Sequence, residues 1–121
     1  MSTIRVDNFG PSAGGTTYSA RGIAKAWVNF DGTGTIAARD SENVSSLTDN
    51  ATGGYGVNLT NSMANTNGAV VSMCHYDGVT FMLAPRSVFN TVSIIRVSMQ
   101  NAAGAASDAN EIAASGYGDL A

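Results

Sequence analysis

The run Ala24-Lys25-Ala26-Trp27-Val28-Asn29-Phe30-Asp31-Gly32-Thr33-Gly34-Thr35 constrains the fold of this chain more than any other segment. Small or apolar residues alternate with polar ones, and the alternation stops at Asp31-Gly32 and again at Gly34. A period of two that runs into turn residues is a strand entering a tight turn. Ala24, Ala26, Val28 and Phe30 share one parity and are expected on a core face. Lys25, Trp27 and Asn29 share the other, which puts an indole on the face that should be wet. An outward Trp on a strand implies a surface that covers it. Lys25, Trp27 and Asn29 are therefore expected to form a subunit interface.

Similar punctuation recurs along the rest of the chain. Thr35 to Asp40 reads as a returning strand, and Asp49-Asn50 with Gly53-Gly54 as a turn region. Tyr55, Val57 and Leu59 alternate cleanly with Gly56, Asn58 and Thr60. Ala69 to Tyr76 is an apolar run expected as a buried strand. Asp77-Gly78 is a hairpin signal, and Pro85 is expected to end the strand after it. Thr91 to Met99 is the longest strand candidate, and Glu111 to Tyr117 the last. No helical period persists, and Gly104 interrupts the small-residue stretch 101–107. About eight short strands between turn signals predict an all-β fold, an antiparallel β-sandwich or barrel. The 121 residues form one β domain, with residues 1–22 as a lead-in strand and loop and 23–121 as the sandwich body.

Composition narrows the function classes. Charged residues make up 12% of the chain, about half the usual share of roughly 25%. Strand faces with so few charges are cheap to desolvate between subunits. The six cations, Arg5, Arg21, Lys25, Arg39, Arg86 and Arg96, are scattered, and the net charge is −3. A nucleic-acid footprint needs them clustered, so no nucleic-acid partner is expected. No apolar stretch is long enough for a membrane-spanning helix, so no membrane insertion is expected. Residues 1–7 lack the apolar run of a secretory signal, which points to synthesis in a cytoplasm.

Candidates for chemistry are few. Cys74, the single cysteine, reads as a small core residue. His75, the single histidine, follows it directly, and on a strand the two point to opposite faces, which defeats a Cys–His nucleophilic pair. No Gly-x-Ser-x-Gly elbow occurs, and Gly32-Thr33-Gly34 lacks the third glycine of a dinucleotide fingerprint. Asp40 and Glu42 share a strand parity but read as solvated. Met63, Met73, Met82 and Met99 read as core filler. No catalytic residue, cofactor or metal site is expected, and the protein reads as non-enzymatic.

The segment Ala24 to Thr35 also carries a family resemblance. Together with Ala38-Arg39-Asp40-Ser41, Asn43-Val44-Ser45-Ser46-Leu47-Thr48-Asp49-Asn50, Thr52-Gly53, Tyr55 and Val57-Asn58-Leu59-Thr60, it resembles a module of bacteriophage and prophage tail fibres. Ile4-Arg5-Val6-Asp7-Asn8 with Ser12-Ala13-Gly14 is similar to the segment that often precedes the module. Val97-Ser98 to Asn101 and Ile112 to Gly118 are similar to its last two strands. Residues 21 to 60 match specifically, and 65 to 121 mainly in pattern. The resemblance implies a β-rich, homotrimeric virion structural protein without catalytic residues. It implies a place in the virion, with itself and other virion proteins as partners.

On that reading the chain is a tail-fibre or appendage component that contributes to host attachment. A capsid decoration or cement protein is the alternative, since 121 residues hold neither a long shaft nor a tail-attachment segment. A host-envelope glycan hydrolase is the enzymatic alternative. Attachment to a host-surface glycan or protein is expected from polar loops gathered at one end of the assembly. The contact candidates are Asn65 and Asn67, then Tyr76 and Asp77, then Asn101 and Asp108.

Overall fold

The computed structural model of the chain describes residues 2–76 and 82–121, with side chains from 86 onward in the second stretch. The fold is all-β and antiparallel. The main strands are β3 (Ala26–Asp31), β4 (Ala37–Glu42), β5 (Val44–Ala51), β6 (Gly54–Leu59), β7 (Ala69–His75), β8 (Met82–Thr91), β9 (Ile94–Asn101) and β10 (Glu111–Tyr117). They form two four-stranded sheets, in the orders β4-β3-β10-β7 and β5-β6-β9-β8, packed against each other. The lead-in holds a two-stranded ribbon, β1 (Asn8–Phe9) with β2 (Tyr18–Ser19), followed by a single 3-10 turn at Ala20–Gly22.

The core follows the parities read from the sequence. Ala26, Val28 and Phe30 of β3 and Ile112 and Ala114 of β10 face inward from one sheet. Tyr55, Val57 and Leu59 of β6 meet them from the other, with Ile95, Val97 and Met99 of β9. The Phe30 and Tyr55 rings pack edge to face across the interface, with centroids 5.3 Å apart at 76°.

The chain changes sheet between β4 and β5 at Asn43, the one described non-glycine residue with a left-handed φ, 56°. Asn is one of the few non-glycine residues that adopt that conformation. Here Nδ2 donates to the Lys25 and Asn61 carbonyls at 3.0 and 3.1 Å, and Oδ1 accepts from the Asn61 N–H at 2.7 Å. On the opposite side the edges β7 and β8 are joined by a Ser72–Ser87 hydroxyl bond of 2.9 Å.

Several boundaries differ from the sequence reading. Asp49 and Asn50 lie inside β5, and the turn falls at Thr52-Gly53, where Gly53 has a φ of +66°. The strand expected to stop at Pro85 continues, because β8 runs through that residue with a register shift between Leu83 and Arg86. β8 is an edge strand, where a missing N–H removes no ladder bond the sheet needs. The long candidate Thr91–Met99 is cut at Val92-Ser93, where Thr91 Oγ1 accepts from the Ser93 N–H at 3.2 Å. A hydroxyl that bonds two residues on favours a turn over a strand. The Asp77-Gly78 hairpin signal lies outside the described residues.

Phe30 has no exposed surface and sits centrally between the sheets. Phe30→Ala should cost about 3–5 kcal/mol through lost burial and a residual cavity. Chemical denaturation of the variant and the parent protein measures this directly.

Candidate functional site

The outer face of sheet β4-β3-β10-β7 carries Trp27 and Asn29, two of the three residues the sequence assigned to an interface, while Lys25 lies just before β3 and faces the lead-in. Pairing register places side chains in rows across it: Glu42, Trp27, Ser115 and Val71, then Asp40, Asn29, Ala113 and Met73. Large side chains flank small ones, so Ala113 and Ser115 floor a hollow of about 350 Å³ between Trp27, Val71 and Met73. Trp27 is 38% exposed, Val71 58% and Met73 70%.

The three expected residues play unequal parts. Lys25 Nζ donates to the Ala20 carbonyl at 2.6 Å, which ties the lead-in to the body. Asn29 accepts from Arg39 Nη1 at 3.1 Å and donates weakly to Glu111 Oε1 at 3.4 Å. Trp27 alone offers apolar area. Its neighbours Val71 and Met73 were missed because Ala69–Tyr76 reads as a continuous apolar run, expected to be buried. The correction is that β7 is an edge strand with one face on the core. Cys74 is half-buried against the core, whereas Val71 and Met73 point out. Met73 is therefore not core filler; Met63 and Met99 are, at 2% and 1% exposure. Burial pushes the Cys74 thiol up from its ordinary pKa, away from the reactive thiolate. His75 lies on the other face of the same strand, opposite Glu111 in register.

The candidate contact loops do not gather at one end. Strand directions put Tyr76 and the segment 101–110 beside the Gly32 and Gly53 turns. Asn65 and Asn67 lie at the opposite end, where Met63 bonds Val92 and Ala64 bonds Asp119 through their backbones. The reason is topological: the 61–68 loop leaves the far end of β6, and the 101–110 loop leaves the near end of β9. Asn65, Asn67 and Tyr76 are exposed. Asn101 is turned into its own loop, with Oδ1 accepting from the Ala103 and Ala105 N–H groups at 3.0 and 3.1 Å. Asp77 lies outside the described residues.

Asp108 has a structural position instead. Its Oδ1 accepts from the Gly53 N–H at 2.7 Å and lies 2.7 Å from the Tyr55 hydroxyl. That hydroxyl is also 2.8 Å from the Gly32 carbonyl, and Gly32 N–H donates to the Ala109 carbonyl at 2.9 Å. A Cβ at Gly32 would come within 2.6 Å of the Tyr55 hydroxyl, so glycine is what permits this approach. Tyr55 and Asp108 together fasten three connections at one end of the sandwich.

Comparison with protein-family models, curated proteins and solved structures found no match to this chain.

Burial, and then the hydrogen bond to the Asp108 carboxylate, push the Tyr55 hydroxyl well above its ordinary pKa of 10.0. A proton held more tightly in the folded state gives stability that is complete below about pH 10 and declines as pH rises above it. Tyr55→Phe should cost about 1 kcal/mol at neutral pH and flatten this alkaline decline. Urea midpoints of both proteins from pH 7 to pH 11 measure the two effects.

Proposed function

We propose that this chain is a non-enzymatic structural protein of a bacteriophage virion. It belongs to a tail fibre or similar appendage, contributes to host-surface attachment and assembles as a homotrimer. The phage assignment is supported by the resemblance over residues 21–60. One structural observation carries the assembly: Trp27, Val71 and Met73 stand exposed together on one sheet face, around the small residues Ala113 and Ser115. Large apolar groups in a contiguous exposed patch mark interaction surfaces.

A three-fold axis in front of Trp27 lets three such faces cover one another. The β4 half of each face then meets the β7 half of the next, the heterologous contact that a closed trimer requires. Asp40 and Glu42 sit in the β4 half, at the sheet edge, where water continues to solvate them. The Trp27 centre is free of charge, so closing it costs little desolvation. Other virion proteins are the further partners of such an assembly.

Light scattering should give a mass near three times 12.3 kDa; a mass near one chain overturns the trimer. Trp27→Ala should weaken assembly by about 2 kcal/mol or more per contact. It should leave the circular-dichroism spectrum unchanged, because the indole is outside the core. Immunogold labelling of particles should mark tails, and labelling of heads would instead favour a decoration protein.

A further inference from the structure

The opposite sheet has an outer face of different chemistry. In a chain of net charge −3, the described outward residues of β5-β6-β9-β8 include no carboxylate and two arginines, Arg86 and Arg96. Asp49 is on β5 but registers with the inward Tyr55, on the other side. Arg96 registers with Val88 and Arg86 with Ser98, so the two arginines are diagonal neighbours on paired strands, a spacing of about 7–8 Å between backbones.

Neither arginine makes a hydrogen bond or ion pair among the described residues. Three of the other four cations are engaged. Arg21 pairs with Asp119 at 2.9 Å, Arg39 lies 3.7 Å from Asp31, and Lys25 bonds a carbonyl. Two like charges held close without a counter-charge favour an anion from outside.

Arg96 separates two hollows. One, of about 250 Å³, is walled by Thr48, Asn50, Asn58 and Asn90 and floored by Gly56 and Ile94. The other, of about 320 Å³, lies between Arg86, Val88, Arg96 and Ser98. Asn58 Nδ2 is held by the Ser46 and Thr48 hydroxyls at 3.0 and 2.9 Å. The Asn50 and Asn90 amides make no hydrogen bond among the described residues. A carboxamide both donates and accepts, which matches a sugar hydroxyl. A guanidinium fork matches a carboxylate.

We propose that this outer face is a groove for a linear acidic polysaccharide, its carboxylates seated on Arg96 and Arg86 and its hydroxyls on Asn50, Asn58 and Asn90. A nucleic acid fits less well, because the described face has no aromatic ring for a base to stack on and only two cations. A polyphosphate offers no hydroxyls to the amides. The groove deepens the attachment reading above and rests on it for its biological purpose. With the Trp27 face turned to a three-fold axis, this sheet faces outward.

The test is calorimetric titration of the full chain with a galacturonic-acid hexamer, with light scattering of the same samples. Binding is expected, and it should fall about tenfold or more in Arg96→Gln and in Arg86→Gln. The methyl-esterified hexamer, which keeps the hydroxyls and loses the charges, should bind at least as poorly as the arginine variants. Gly56→Leu keeps both arginines and fills the trough floor, so it should also abolish binding. Absence of binding, or binding indifferent to Arg96→Gln and Gly56→Leu, overturns the groove. So does equal affinity for polyphosphate or a DNA oligonucleotide, which would mean an unselective anion patch. A change of mass in the arginine variants overturns it too, by assigning this face to subunit contact. A parent protein that binds the hexamer as a monomer upholds the groove while refuting the trimer.

Discussion

The contact between Phe30 and Tyr55 is the one on which the rest of the structure depends. Each ring comes from a central strand of its own sheet, and their edge-to-face packing fixes how the two sheets meet. The Tyr55 hydroxyl then reaches past the core to the Gly32 carbonyl and the Asp108 carboxylate. One side chain thus supplies apolar area between the sheets and a polar fastening for the connections at one end. Burying a hydroxyl would be costly without partners, and here it has them. Among the described residues, no buried side-chain polar atom lacks a hydrogen bond.

Because the core takes one parity from each strand, the other parity makes two outer faces, and these differ. One carries Trp27, Val71 and Met73 around small residues, with carboxylates at its β4 edge. The other carries amides, hydroxyls and two arginines that make no hydrogen bond or ion pair among the described residues, with glycine at its floor. An apolar face gains by being covered, whereas a polar, cationic one is stable in water and selective for what it meets. The proposed assembly and the proposed groove follow from that division. They make no competing demand on any residue, since the sheets that bear them are back to back.

Some of the fold was legible in the residues. The alternation at Ala26–Phe30 and the period of two at Tyr55–Leu59 correspond to observed strands with the expected inward faces, and Glu111–Tyr117 to an observed strand; Ala24 lies before β3 and outside the core. Boundaries that depended on single turn residues were not. Asp49-Asn50 is drawn into β5 by pairing with β6, and Pro85 is tolerated because β8 lies at an edge. Local turn preferences amount to about a kilocalorie, and a ladder of cross-strand pairs outweighs them.

The sequence by itself determined the all-β class, the inward set on β3 and β6 and the outward direction of Trp27. Period-two alternation fixes which side chains share a face, whatever the strand pairs with. Tertiary structure alone decided what stands beside them. It paired β7 with β10 in a register that turns Val71 and Met73 to the outer face on the side of Trp27, residues more than forty positions away along the chain. It placed Arg86 diagonally from Arg96 with no carboxylate between them. It also moved Asp108 from a contact loop to the Tyr55 fastening. Strand order and register are set by how the whole core packs, and no local window of sequence contains that information.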